Sequence, residues 1–357
     1  MQKQKKHKYS SLITSMVIVI LINCGCLLFT HYIFDFVLSM IWQVSHNIVP
    51  VDAFALIGNT VMQALSFIVP LKVFSYMCKN AFKEKLMPRE KNILAKSQVL
   101  PVFLLGLGAI VIANYVNQIF SAFAREILPP ATSDYAGLAW DYANFVGLGW
   151  GHEIFIYLFF ASVIPAVLEE LLFRKAFCDA LAPYGPKTAI IVTSVLFSMT
   201  HGNIDKFIYT FVAGIFLGWI YVGTKNIKLS MALHFISNLL PAVGLVIYNK
   251  VSTDAYLVYT TLYTLVLCVL AIIFTVRLCR ERSATQARLV REARENGTLE
   301  EYTQNRKKYI NHIEMLPDEN GEEVTSLSKQ DKISGFFTPM SIVFIICVVL
   351  QTMYMLL

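Results

Sequence analysis

The chain reads as an all-α integral membrane protein, a polytopic helical bundle of about eight to nine transmembrane helices. Three features carry this reading. Of its 357 residues, 56% are hydrophobic and only 15% charged, whereas a soluble globule carries about 25% charged residues. Mean hydropathy is correspondingly high, at +0.57. Apolar runs recur along the whole chain at the length of a membrane crossing, on the order of 20 residues. Lys and Arg gather in alternate connecting segments, the asymmetry that orients membrane helices.

In chain order, spans are expected over residues 11–41, 53–77, 98–124, 152–174, 188–204, 206–223, 229–248, 254–276 and 337–357. The first follows Lys3, Lys5, Lys6 and Lys8. Its apolar run of about 30 residues, without a small-residue cleavage site, is a retained anchor and not a signal peptide. No Lys or Arg occurs in 42–52, whereas Lys79, Lys83, Lys85, Arg89, Lys91 and Lys96 crowd the next connection. The N-terminus is therefore expected in the cytoplasm of a multi-pass cell-membrane protein. The alternation continues with Arg174, Lys175 and Lys187, then Lys225 and Lys228, then six arginines from Arg277 to Arg294, all inside. Nine crossings would leave the C-terminus outside.

By organisation, 1–144 is expected to form N-terminal membrane helices and loops, 145–250 a helical core, 251–276 a further span, 277–335 a charged cytoplasmic segment, and 336–357 the last span. Residues 125–151, with Pro129, Pro130, Trp140 and Trp150, suit an external loop at headgroup depth. The 277–335 segment breaks at Asn296-Gly297 and ends in an acidic run from Glu314 to Glu323. The net charge of +6 is what loops facing anionic lipid require, and no basic-aromatic pattern points to nucleic acid. The seven cysteines, Cys24, Cys26, Cys78, Cys178, Cys268, Cys279 and Cys347, read as small buried hydrophobes.

The chemistry is expected where polar residues interrupt apolar helices. They are Glu169-Glu170 with Arg174, then Phe197 with His201, then His234 with Asn238. Ionisable groups at membrane depth cost roughly 2.5 to 3.5 kcal/mol each, so a chain that keeps several has a use for them. Glu170 and Arg174 stand at i and i+4, so the guanidinium can hold that carboxylate charged, while Glu169 points about 100° away and is left for other work. Read alone, the group is equally a charged helix cap that snorkels to the interface. The Pro183-Tyr184-Gly185-Pro186 stretch should turn the helix back on itself. Glu169 lies 16 residues before Gly185 and His201 lies 16 after it, so a hairpin brings both to one depth. His234 and Asn238 again share a face. His7, His31, His46, His152 and His312 have no such partners and are assigned no function.

In this order on successive helices, Glu-Glu-x-x-x-Arg, Phe-x-x-x-His and His-x-x-x-Asn resemble the signature of the CAAX prenyl protease type II and bacteriocin-processing (CPBP, or Abi) family of intramembrane proteases. The resemblance covers about residues 145–250. It implies an intramembrane endopeptidase in which Glu169 and His201 activate water, Glu170 and Arg174 support them, and His234 and Asn238 stabilise an oxyanion or contribute to a metal site. Metalloprotease chemistry, with Zn2+ held by Glu169, His201 and His234, stays open beside metal-free catalysis, since H-E-x-x-H is absent and a Glu with a His can activate water unaided. The implied partners are a peptide or peptide-tail substrate and membrane lipid; oligomeric state is left open. Peptide or bacteriocin maturation, immunity and CAAX-like processing are all compatible. The alternative is a non-catalytic membrane scaffold or immunity protein, or a proton-coupled transporter, although a proton relay would spread its charges along several helices.

Overall fold

The computed structural model of the chain describes residues 2–44, 51–78, 94–127, 154, 158–201, 204–300 and 328–356. These are helical almost throughout, so the all-α membrane bundle expected from the sequence is what is found. Helix α1 is Gln2–Val44, α2 Val51–Met77 and α3 Lys96–Ile127. The next helix, α4, covers residues 159–181 and is irregular: an α-helical stretch, Ile164–Glu170, is bracketed by two π-helical stretches, Phe159–Val163 and Leu171–Cys178. Pro165 has no N–H to give to the carbonyl four residues back, and the first widened turn falls just there. Then follow α5 Pro186–Thr200, α6 Ile204–Thr224, α7 Ile227–Lys250, the 43-residue α8 Thr253–Glu295, α9 Lys329–Phe336 and α10 Pro339–Leu356.

Where they are described, the nine expected apolar segments fall mainly on helices, but among the described residues not all are full crossings. Five helices are long and apolar enough to span, or six if the α9–α10 pair, bent by 63°, counts as one span. The clearest shortfall is α5. Its 15 residues rise about 22 Å at 1.5 Å per residue, against about 30 Å of hydrocarbon. The external loop beyond residue 127 and the acidic run from Glu314 to Glu323 lie outside the described residues.

Two apolar cores organise the bundle. One joins α1, α2, α4, α5 and α10 through Tyr9, Ile13, Phe74, Phe177, Leu196 and Phe344. The other joins α3, α6, α7 and α8 through Val102, Leu107, Leu217, Leu233 and Leu267. Close helix contact at their junction relies on glycine. A Cβ on Gly214 of α6 would stand 2.9 Å from the Ser194 backbone of α5, and one on Gly218, a turn later, 3.3 Å from Ile190. This is the small-xxx-small device by which membrane helices approach closely.

Described residues flanking several of the basic connections meet one another. Tyr9 packs edge-on against Tyr184 at 4.8 Å, Lys6 pairs with Asp331 at 3.4 Å, the Tyr221 hydroxyl donates to Asp179 at 2.7 Å, and the Leu94 N–H donates to the Gly223 carbonyl at 2.9 Å. Segments assigned to one side from Lys and Arg placement are thus neighbours in space. Arg174 departs from that scheme: its side chain is 0% exposed, so it is not a loop charge at the interface. The seven cysteines are all unpaired. Cys78 and Cys178 are buried as expected, but Cys279 and Cys347 are exposed, Cys279 because it lies on the solvated half of α8.

Candidate active site

The local sequence builds the site from a hairpin. After α4, residues Ala182–Tyr184 make a 3-10 turn and Gly185 takes φ 99° and ψ 148°, a conformation open in practice only to glycine. Pro186 then starts α5 at the position where its missing N–H costs nothing. The arms run in equal register, as the spacing predicts. Phe173 and Phe197, each 12 positions from Gly185, stack edge to face with centroids 5.2 Å apart.

On α4, Glu170 and Arg174 are both wholly buried, with Nε of the arginine 3.2 Å from Oε2 of the glutamate. The snorkelling-cap reading is therefore set aside. The approach is off the hydrogen-bond axis, and Nη1 and Nη2 have no hydrogen-bond partner among the described residues. Instead the guanidinium carbon lies 5.0 Å from the Phe197 ring centroid and 6.0 Å from that of Phe173, within cation–π range.

From α7, His234 Nδ1 lies 3.1 Å from Glu170 Oε1, and the Ser230 hydroxyl donates to Glu170 Oε2. A carboxylate only accepts, so Nδ1 carries the proton of this bond and Nε2 faces away from Glu170. That Nε2 lies 3.7 Å from Oε2 of Glu169, a buried oxygen without a hydrogen-bond partner among the described residues. A water seated beside the pair can reach both atoms. Asn238 continues the same face one turn on and is partly buried.

His201 caps the end of α5. Its Nδ1 lies 2.9 Å from the Phe197 carbonyl, which can only accept, so Nε2 of this ring is also left outward. The Phe197 ring packs edge-on against both histidines, its centroid 5.0 Å from that of His201 and 5.9 Å from that of His234. Side chains from α4, α5 and α7 thus gather around one phenylalanine at the junction of the two cores. Glu169 meets the imidazole of His234; that of His201 lies across the Phe197 ring.

The start of α6 closes the group. Ser198 donates to the Phe207 carbonyl at 2.7 Å, and the Ile208 N–H donates to Asn117 Oδ1 from α3 at 2.6 Å. Among the described residues, no three His, Cys, Asp or Glu side chains come together as a ready metal-ligand set. The donor chemistry of Glu169, His201 and His234 would suit zinc, but as placed they do not converge on one point. Ser230 escapes sequence reading: a serine in an apolar helix is common, and only its spacing of four from His234 hints at a shared face.

Residues 151–240 match the family model described as type II CAAX prenyl endopeptidase Rce1-like. All seven motif positions fall inside that match. A curated relative, the membrane-embedded CAAX protease MroQ of Staphylococcus aureus (strain USA300), is 26% identical over 169 residues. The alignment takes in 45% of this chain and 62% of that protein, so the chain spans less than two thirds of the length of the relative it matches. No solved structure matches. Over its matched segment the chain is thus similar to the type II CAAX endopeptidases, the resemblance that its three motifs indicated.

Proposed function

We propose that this protein is an intramembrane endopeptidase that hydrolyses a peptide bond by direct attack of water. The observation that carries the reading is the meeting of Glu169 and Glu170 with His234, whose ring packs on the same Phe197 as that of His201. His201, with Nδ1 tied to a carbonyl, offers the Nε2 lone pair; in this reading the attacking water lies against Glu169 on the side away from His234, within reach of His201, and the two take its proton as the oxygen adds to the scissile carbonyl carbon. The C–N bond then breaks, and the same groups return the proton to the leaving amine, releasing one new carboxyl end and one new amine. Asn238 can donate to the oxyanion from its amide. His234 can do so only from a protonated Nε2, and Glu169 at 3.7 Å is placed to share that proton. Glu170, surrounded by Ser230, His234 and Arg174, is an orienting acceptor and not a proton carrier.

The substrate class is a peptide or peptide tail presented at the membrane of the cell, with the N-terminus of the protease on the cytoplasmic side. Similarity to a CAAX protease makes a C-terminal tail the first candidate, and bacteriocin-like peptides the second. Cleavage of such peptides in proteoliposomes should fall by about 10² to 10⁴ in Glu169→Ala and in His201→Ala, the usual worth of acid–base groups. Undiminished cleavage by both variants would return the protein to a scaffold or immunity role.

A further inference from the structure

Ser230 lies outside the three motifs, yet it is wholly buried and reaches across from α7 to α4. Its hydroxyl has two acceptors in range, Glu170 Oε2 and, at 3.2 Å, the Leu217 carbonyl of α6. One O–H cannot serve both well. Turning it to the carbonyl would aim a hydroxyl lone pair at the carboxylate, so the proton belongs to Glu170. Arg174 approaches the same Oε2 without a hydrogen bond. The arginine thus supplies charge, and the serine supplies direction.

We propose that Ser230 is a positioning residue for the reaction, fixing the Glu170 carboxylate so that its other oxygen holds His234 with Nδ1 protonated and Nε2 facing Glu169. The last torsion of a glutamate side chain is broad, so a carboxylate held only by an off-axis charge can swing. Ser230 and His234 lie one turn apart on α7 and grip Oε2 and Oε1 separately, which removes that freedom. Second partners of this kind select the tautomer and ring orientation of a histidine, and their loss commonly costs about 10- to 100-fold in activity. The part concerning turnover rests on the protease reading; the part concerning the imidazole does not.

The test compares wild type with Ser230→Ala, Ser230→Thr and Ser230→Val in detergent and proteoliposomes. Thr and Val have the same shape, so they separate the hydroxyl from the space it fills. In Ser230→Ala, kcat should fall about 10- to 100-fold with KM and thermal unfolding unchanged. Ser230→Thr should recover more activity than Ser230→Val. The ring 15N spectrum of His234, assigned through a His234 variant, should change from one Nδ1–H tautomer to a mixture. An unchanged tautomer in Ser230→Ala overturns the proposal, as does equal activity in the Thr and Val variants or a loss that merely follows unfolding. If wild type cleaves no peptide, the protease reading fails, while the 15N spectrum still decides whether Ser230 holds His234.

Discussion

Arg174 shows how dearly the site is bought: a guanidinium with 0% exposure, balanced by one carboxylate and two aromatic rings. Removing one member of a buried pair strands the other and costs roughly 3 to 5 kcal/mol, whereas removing both is far gentler. Arg174→Met should therefore melt well below wild type in detergent, and Arg174→Met combined with Glu170→Gln should regain much of the loss. A single variant as stable as wild type would mean that the pair is hydrated in the membrane. This pair was legible in the sequence because an i, i+4 spacing within one helix fixes the neighbours. The partner of Glu169 was not. Whether it faces His201 or His234 depends on how α4 turns about its axis, which the spacing of motifs on separate helices leaves undetermined. Ser230 was hidden for the same reason, since its meaning arises only from contact with α4.

Among the elements, the α5–α6 pair decides whether the hairpin can hold His201 in place. Gly214→Ala would put a methyl carbon 2.9 Å from the backbone of Ser194, and backbone cannot yield as a side-chain tip can. Overpacking of this sort costs about 1 to 3 kcal/mol. Gly25→Ala in α1 meets nothing within 4 Å and serves as the control. Thermal unfolding should drop for the first and not for the second; equal behaviour would show that α6 does not pack on α5 this closely. The hairpin itself could be read from Pro183, Gly185 and Pro186. The polar run His201-Gly202-Asn203 after Thr200 marks the early end of α5, whereas the π-helical turns of α4 could not be read, because no local pattern marks a widened turn.

For the whole molecule, two expectations reach beyond the site. The first is orientation. Cys279 is exposed on α8 beyond its apolar half, beside Arg277 and Arg280. With the N-terminus inside, a membrane-impermeant maleimide should label it in inverted vesicles and not in intact cells, and Cys279→Ser should remove that signal. Labelling from outside would reverse the assignment of every loop. The second concerns zinc. Protein purified gently and assayed by elemental analysis should carry less than one zinc per chain, and chelators should leave cleavage intact, if Glu169 and His201 suffice. Stoichiometric metal with chelator-sensitive cleavage would mean that Glu169, His201 and His234 close together around an ion.

With about 22 Å of helix where about 30 Å of hydrocarbon is usual, α5 stops several ångströms short of the lipid boundary, with His201 at its tip. With the Pro186 end of α5 at one lipid boundary, the protease reading expects lipid to dimple inward at the other end or a wet hollow above the imidazole. In that arrangement solvent would descend to His201 from one face, and a polypeptide end could be cut there without being drawn through the bilayer's full depth.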